Sequence, residues 1–392
     1  MKPVKRWNRY EIVYRIKGYK KLFSERFDTE EEANIRIAEI SLLKKKGMLR
    51  PPTRVQTNRY ITVSEFLDEY VARHGANQWG DSYYSVSLHR INDYVKPFIG
   101  DLHLRDVTTL DIDDYYDKLS QAPAVRLPGH KDQEKKVSVS VIEKVHSLLR
   151  SAFSKAIKWG YIVTNPVTDA TVPSAPTKRR QVWTPADAKR AMDACRDRNL
   201  KACIMLAIGC SMRIGEILGL QWDDVHLSEK GTPYLVVKQE LKRCSKKTLE
   251  VLEEKNRSSV FFTFPEMKPD CKTSLVLKTP KTESSVRTIY IPETVAGYLR
   301  DLQEHRAWEK DRLHGLYEDF NLVIAQDNGR PVEERLIAKA FKAFIEEQDL
   351  PMVVFHSLRH LSTSMKLQVS GGDIKAVQGD TGHAQASMVT EV

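Results

Sequence analysis

Residues 209–220 read Gly209-Cys210-Ser211-Met212-Arg213-Ile214-Gly215-Glu216-Ile217-Leu218-Gly219-Leu220. An apolar helical run opens directly after an arginine, and an acid follows three positions later. By itself such an arginine caps a helix or makes a structural pair, so its meaning depends on what accompanies it. Three further stretches do: Lys278-Thr279-Pro280-Lys281-Thr282-Glu283-Ser284-Ser285 between two expected strands, His356-Ser357-Leu358-Arg359-His360, and the pair Gly382-His383 near the end. His356 and Arg359 are three positions apart, about one helical turn, and are expected on one face. Glu216 is expected either to orient Arg213 or to sit exposed on its helix.

Read one at a time, each of these residues has an ordinary structural explanation. A lysine in a hairpin is solvated, and a single histidine is usually a satisfied structural group. Together, Arg213, Lys281, His356, Arg359 and His383 suit a phosphate. Two guanidiniums clamp the two non-bridging oxygens of a phosphodiester and neutralise charge as it develops. Two imidazoles donate hydrogen bonds or move protons, and a hairpin lysine can protonate a leaving oxygen. No Asp/Glu cluster with metal spacing accompanies them, which argues against a two-metal nuclease. No glycine-rich loop ending in Lys-Ser/Thr is present, which argues against a P-loop ATPase. No cofactor is expected.

Outward from this constellation, Thr184-Pro185 is a helix start, an N-cap followed by proline at the first helical position. Residues 186–217 read as two helices; 234–237, 274–277 and 288–291 as strands; and helices resume at Pro292. The basic and polar stretch 238–272 fits no element. Residues 61–172 read as helical. Thr62 or Ser64 starts one helix, 82–94 forms a second ending before Pro97, 111–119 a third, and 138–159 a long amphipathic one. Between the last two, 121–137 is a polar loop. At the N-terminus, Tyr10, Ile12, Tyr14 and Ile16 show strand alternation. Gly18 turns the chain, 19–27 returns, and a helix capped by Asp28 with Glu31 runs to about Lys46. Pro51-Pro52 and 173–180 are linkers.

The chain has 392 residues, too long for one core, so two or three domains are expected. Residues 1–60 hold 16 Lys/Arg and 7 Asp/Glu, a net +9 out of a total of +10. A basic head on a near-neutral body points to a polyanion partner, and a short basic sheet backed by a helix can lay its strands in a DNA groove. With 41% hydrophobic and 29% charged residues the chain is not a disordered tail. It contains no apolar run of membrane-spanning length and no secretory signal. Five cysteines without a CxxC pair read as reduced thiols of a cytoplasmic protein.

The Arg213 box, the Lys281 hairpin, the His356-x-x-Arg359 box and Gly382-His383, in this order and spacing, resemble the tyrosine recombinases, in particular the integrases of phages and Gram-positive conjugative transposons. Tyr94-Val95-Lys96-Pro97-Phe98-Ile99-Gly100, Asp106-Val107-Thr108 and Asn165-Pro166 resemble that family's SAM-like core-binding domain, and the N-terminal strands and helix its arm-binding domain. The resemblance implies a multidomain fold: a small α+β arm-binding domain over 1–55, an all-α core-binding domain over 60–172, and a mainly-α catalytic domain with a small antiparallel sheet over 180–392. It implies that Arg213 and Arg359 hold the scissile phosphate, Lys281 acts as general acid, His356 assists proton transfer and His383 hydrogen-bonds the phosphate. It further implies double-stranded DNA with core and arm sites as substrate, a homotetramer on DNA, an excisionase or other directionality factor as partner, no membrane, and a nucleoid-associated location. The family's nucleophilic tyrosine is expected directly after Val392, so the chain as given is expected to bind DNA without cleaving it. None of its 15 tyrosines stands at a suitable position, and Tyr290 is expected in the core. Two alternatives remain: a type IB topoisomerase, which uses the same site residues on single duplexes, and a DNA-binding protein without catalysis.

Overall fold

The computed structural model describes residues 2–6, 9–19, 22–27, 29–47, 49, 61–125, 135–175, 181–228, 231–280, 285–375 and 377. The chain divides into two compact units, 1–73 with 87–175, and 74–86 with 176–392.

In the first unit, strands β1 (Val4–Arg6), β2 (Arg9–Arg15) and β3 (Leu22–Phe27) form an antiparallel sheet in sequence order. Ile12, Tyr14 and Phe23 on its inner face pack with Ala33 and Ile40 of helix α1 (Glu30–Lys45). Gly18 takes a left-handed φ of 93° at the β2–β3 turn, where a side chain would be strained. The cap of α1 falls one residue later than expected, on Thr29 with Glu32: each side chain bonds the other's backbone N–H, at 3.2 and 3.3 Å. The helical part of this unit starts with α2 (Val63–Tyr70), capped reciprocally by Thr62 and Glu65. Phe66 and Tyr70 of α2 meet Trp159 edge to face and bury the seam with α7 (Val139–Trp159). Gly160, at φ 80°, ends α7.

Two helices change winding partway. After α2 the segment Val71–Gly75 winds as π-helix before the short α3 (Ala76–Gln78); after α4 (Asp81–Arg90), Ile91–Val95 does so before α5 (Lys96–Ile99). The helix expected to stop before Pro97 therefore runs through it. Pro97 falls in the first turn of α5, where its missing N–H leaves no bond unmade. Helix α6 (Thr109–Gln121) follows. Where a loop is expected after it, Ala124 N–H donates to the Lys135 carbonyl at 2.8 Å and Val137 N–H to that of Ala122 at 3.0 Å; residues 126–134 lie outside the described residues.

In the second unit, residues 186–217 form three helices rather than two: α8 (Pro185–Ala194), the buried α9 (Arg198–Gly209) and the short α10 (Ile214–Leu218). The break falls at Cys210-Ser211-Met212, where Ser211 is left-handed at φ 52°. Two small antiparallel sheets take the place of the single one expected. One has the order β4 (Val225–His226), β5 (Tyr234–Val237), β9 (Arg287–Tyr290); the other β6 (Glu240–Ser245), β8 (Thr273–Lys278), β7 (Val260–Thr263). The unassigned stretch 238–272 thus supplies β6, β7 and the intervening α11 (Lys246–Glu254). Helix α10 crosses β6 at Gly219, whose added Cβ would lie 2.7 Å from the Leu241 nitrogen, so only glycine fits there. Helices α12 (Glu293–Leu313), α13 (Glu334–Glu347) and α14 (Ser357–Val369) close around α9. The core joins Cys203, Leu206, Leu235, Ile289, Leu299, Phe341 and Leu358. Tyr290 is not in it: on β9 it points outward and is 68% exposed, because its inward neighbours Ile289 and Ile291 take the apolar face. Among the described residues no helix is long and apolar enough to cross a membrane.

Candidate functional site

Arg213 occupies the N-cap of α10, held there by an acid three residues on, the pattern visible in the sequence. Its backbone N–H donates to Glu216 Oε2 at 3.0 Å, and its Nη1 to Glu216 Oε1 at 2.7 Å. Glu216 is 2% exposed, which decides between the two expectations for it. It orients Arg213 and is not a solvated helix acid. Its second oxygen also accepts from Arg287 Nη2 at 3.0 Å. Burial by itself would raise the Glu216 carboxyl; the Arg287 guanidinium first, then the N–H and charge of Arg213, bring it below the ordinary carboxylate range. Glu216 is therefore an anion shared by two guanidiniums.

Arg359 enters from α14 and is 2% exposed. Its Nη1 donates to the carbonyl of Ser211. That carbonyl is presented by the left-handed turn before Arg213, and the Ser211 hydroxyl is 2.6 Å from that of Ser362 one turn along α14. The left-handed Ser211 thus ties the turn that carries Arg213 to the helix that carries Arg359. Burial, then the neighbouring charge of Arg213, pulls the Arg359 guanidinium down to about 9; Glu216 opposes this and Arg287 adds to it. At neutral pH Arg359 is charged, in a place that penalises the charge.

Among the described residues the site therefore sets Arg213, Arg287 and Arg359 around one carboxylate, Glu216. Arg213 keeps a 30% exposed side chain, and Ser285 Oγ lies 3.4 Å from its Nη1. Guanidiniums gathered at one place, part of them buried, have the chemistry to receive an anion.

The remaining expected residues fall differently. His356 stands at the N-cap of α14, exposed, with its ring 5.1 Å from that of His360 at 86°. It does not share a buried face with Arg359: it precedes the first helical turn, whereas Arg359 points into the core. Lys281 and His383 lie outside the described residues. The strand that leaves the Lys281 segment does reach the site, through Ser285 and Arg287.

Arg287, Ser285 and Ser211 were not singled out by the sequence reading. For Arg287 a signal was present. On β9 it alternates in phase with the buried Ile289, and an arginine on the inner face of a strand demands an anionic partner. No comparable signal marks Ser211, whose role depends on a backbone angle. Among the described residues no group of three or more His, Cys, Asp or Glu is placed to hold a metal ion.

Residues 62–120 match the "Phage integrase, N-terminal SAM-like domain" and residues 265–391 the "Phage integrase family". A tyrosine recombinase XerC-like protein of Caldanaerobacter subterraneus is 24% identical over 295 residues, covering 73% of this chain and 66% of that protein. The ICEBs1 integrase of Bacillus subtilis is 20% identical over 377 residues, covering 96% of this chain and 90% of its own length. Among solved structures, the Tn1549 transposon integrase in complex with a circular intermediate DNA superposes with a TM-score of 0.62 at 18% identity, covering 84% of this chain and 94% of that one. A lambda integrase dimer bound to a COC′ core site gives 0.55 at 18% identity, covering 99% and 93%.

Proposed function

Because the chain belongs to the tyrosine recombinases, with the domains of the phage-integrase type, we propose that it cuts and rejoins double-stranded DNA at specific sites to integrate and excise a mobile element. The observation that carries this reading is the gathering, among the described residues, of Arg213, Arg287 and the buried Arg359 about one carboxylate, Glu216. That arrangement is relieved by one anion with two non-bridging oxygens, which is what a DNA phosphodiester offers.

In the reaction Arg213 and Arg359 hold the non-bridging oxygens. A tyrosine hydroxyl attacks phosphorus, its proton passing toward His356. The bond from phosphorus to the 5′ oxygen breaks, and Lys281 supplies the proton that makes this oxygen a hydroxyl. His383 hydrogen-bonds the phosphate. The product is a 3′-phosphotyrosyl link, which the 5′-hydroxyl of a partner strand then attacks, releasing the tyrosine. The phosphotyrosine conserves the bond energy, so the exchange is driven without ATP. Residues 180–392 carry this chemistry, 60–172 grip the core site, and the basic sheet and helix of 1–55 bind a distal arm site. A lambda integrase tetramer has been seen bound to a Holliday junction, and four protomers on two duplexes are the assembly proposed here, with a directionality factor selecting excision.

The test adds one tyrosine after Val392, where the sequence reading places the nucleophile, and incubates this chain and the unextended one with a nicked duplex spanning the element's junction. A covalent protein–DNA band on a denaturing gel is expected with the added tyrosine. No band with either chain would overturn the cleavage reading.

A further inference from the structure

Arg287 stands on the first residue of β9, just after the segment that carries Lys281, with a side chain only 6% exposed. Its two terminal nitrogens serve two different elements. Nη2 donates to Glu216 of α10 at 3.0 Å, and Nη1 to the carbonyl of Ser285 at 2.9 Å. Glu216 holds Arg213 at 2.7 Å, and Arg213 in turn reaches the Ser285 hydroxyl at 3.4 Å. The four residues close a ring that runs Arg213, Glu216, Arg287, Ser285 and back to Arg213.

We propose that Arg287 is a positioning residue, which locks the phosphate-facing Arg213 to strand β9 through Glu216 and Ser285. The inference rests on the proposed function and adds a residue to it. A buried ion pair is poor evidence for stability, since apolar side chains of similar volume usually serve as well. What apolar side chains cannot do is fix the plane of a neighbouring guanidinium. With Arg287 in place the charge of Glu216 is divided between two cations. Without it, Glu216 faces Arg213 alone and draws that guanidinium toward itself, away from an incoming anion. Both terminal nitrogens of Arg287 are engaged by Glu216 and the Ser285 carbonyl, so its effect passes through these two residues. The planar fork matters as much as the charge, because two elements are bound by two separate nitrogens.

The experiment measures inorganic phosphate binding to the full chain by calorimetry or NMR titration, in a double-mutant cycle of Arg213→Ala and Arg287→Met with Arg287→Lys alongside. Thermal unfolding shows that each variant is folded, and if Arg287→Met is not, Arg287→Lys carries the cycle. Both Arg287 substitutions are expected to weaken phosphate binding about tenfold in the presence of Arg213, and to change it less than about twofold once Arg213 is alanine. Wild-type affinity in Arg287→Lys would show that only charge matters and overturn the coupling. Additive losses would overturn it too, as would binding that needs Arg213 but ignores Arg287. Phosphate binding indifferent to Arg213→Ala itself would overturn the site reading, and the coupling with it.

Discussion

Two buried charged clusters lie in the second unit, and they are built to opposite rules. Around Asp81, Lys278 Nζ sits at 2.7 Å and Lys242 Nζ at 4.0 Å, while Glu240 lies 3.7 Å from Lys278. The Cys244 thiol adds a hydrogen bond to Asp81 at 3.2 Å. Two ammoniums meet two carboxylates and the charges cancel. Burial would raise the Asp81 carboxyl, yet Lys278 above all, with Cys244 and Lys242, holds it at about 2. Around Glu216, among the described residues, Arg213 and Arg287 share one carboxylate, with Arg359 buried close by. A balanced cluster is complete in the folded protein. A cluster with more guanidiniums than carboxylates among the described residues suits an incoming anion, the role proposed for the second one. Each experiment below tries to erase that difference or to enlarge it.

The largest effect is expected at Arg359. In the chain carrying the added tyrosine, Arg359→Ala should slow formation of the covalent DNA adduct about 10²–10³-fold, as for removal of one donor to developing charge, while leaving thermal unfolding cooperative. An undiminished rate would take Arg359 out of the site. Next comes the balanced cluster. Asp81→Ala leaves Lys278 buried beside only the more distant Glu240 and should cost about 3 kcal/mol in chemical denaturation, with phosphate binding unchanged. Since the folded-state value of Asp81 is depressed, its contribution is fully present above about pH 4 and is lost as the pH falls toward 2. A wild-type acid-unfolding curve for Asp81→Ala would mean that this pair contributes nothing.

A smaller difference is read with phosphate itself. At pH 7 and ten times its dissociation constant, phosphate should stabilise the wild-type chain by about 1.4 kcal/mol and Arg359→Ala by much less, measured by thermal shift. A gain of equal size in Arg359→Ala would place the anion elsewhere. The smallest effect belongs to Ser211→Gly. Glycine relieves the left-handed φ of 52° by about 1 kcal/mol but loses the hydroxyl pair with Ser362, worth about the same. A denaturant midpoint close to wild type is expected, and a shift well beyond this balance would mean that one of the two contributions is misjudged.

Most elements were legible from the chain, because they follow local rules. Capping pairs such as Thr62 with Glu65 and Thr184 with Asp187, the turn at Gly18, the alternation of Tyr10 to Ile16 and the apolar stripe of α7 are written within a few residues of one another. The errors share a cause as well. Pro97 looked like a helix end because proline stops an α-helix, but a stretch of π-winding before it made a fresh first turn. Residues 238–272 looked unassignable because β6 and β7 owe their pairing to β8, which lies beyond α11 in the chain. Tyr290 looked like a core residue because an aromatic on a strand usually is one, yet the phase of β9 gives the inner face to Arg287 and Ile289.

By itself, then, the sequence determined the order of the candidate residues: Arg213 at a helix start with an acid one turn on, His356 and Arg359 at another, and a basic head apart from them. Only the tertiary structure decided that Glu216 is buried and shared, that Arg287 completes a ring with Ser285, and that a left-handed serine ties the turn before Arg213 to α14. The reason is physical. Caps, turns and amphipathic faces are settled by neighbours in the chain, whereas the charge balance of a buried cluster depends on which distant side chains share the same volume, and the burial that makes a guanidinium costly exists only once the chain has folded.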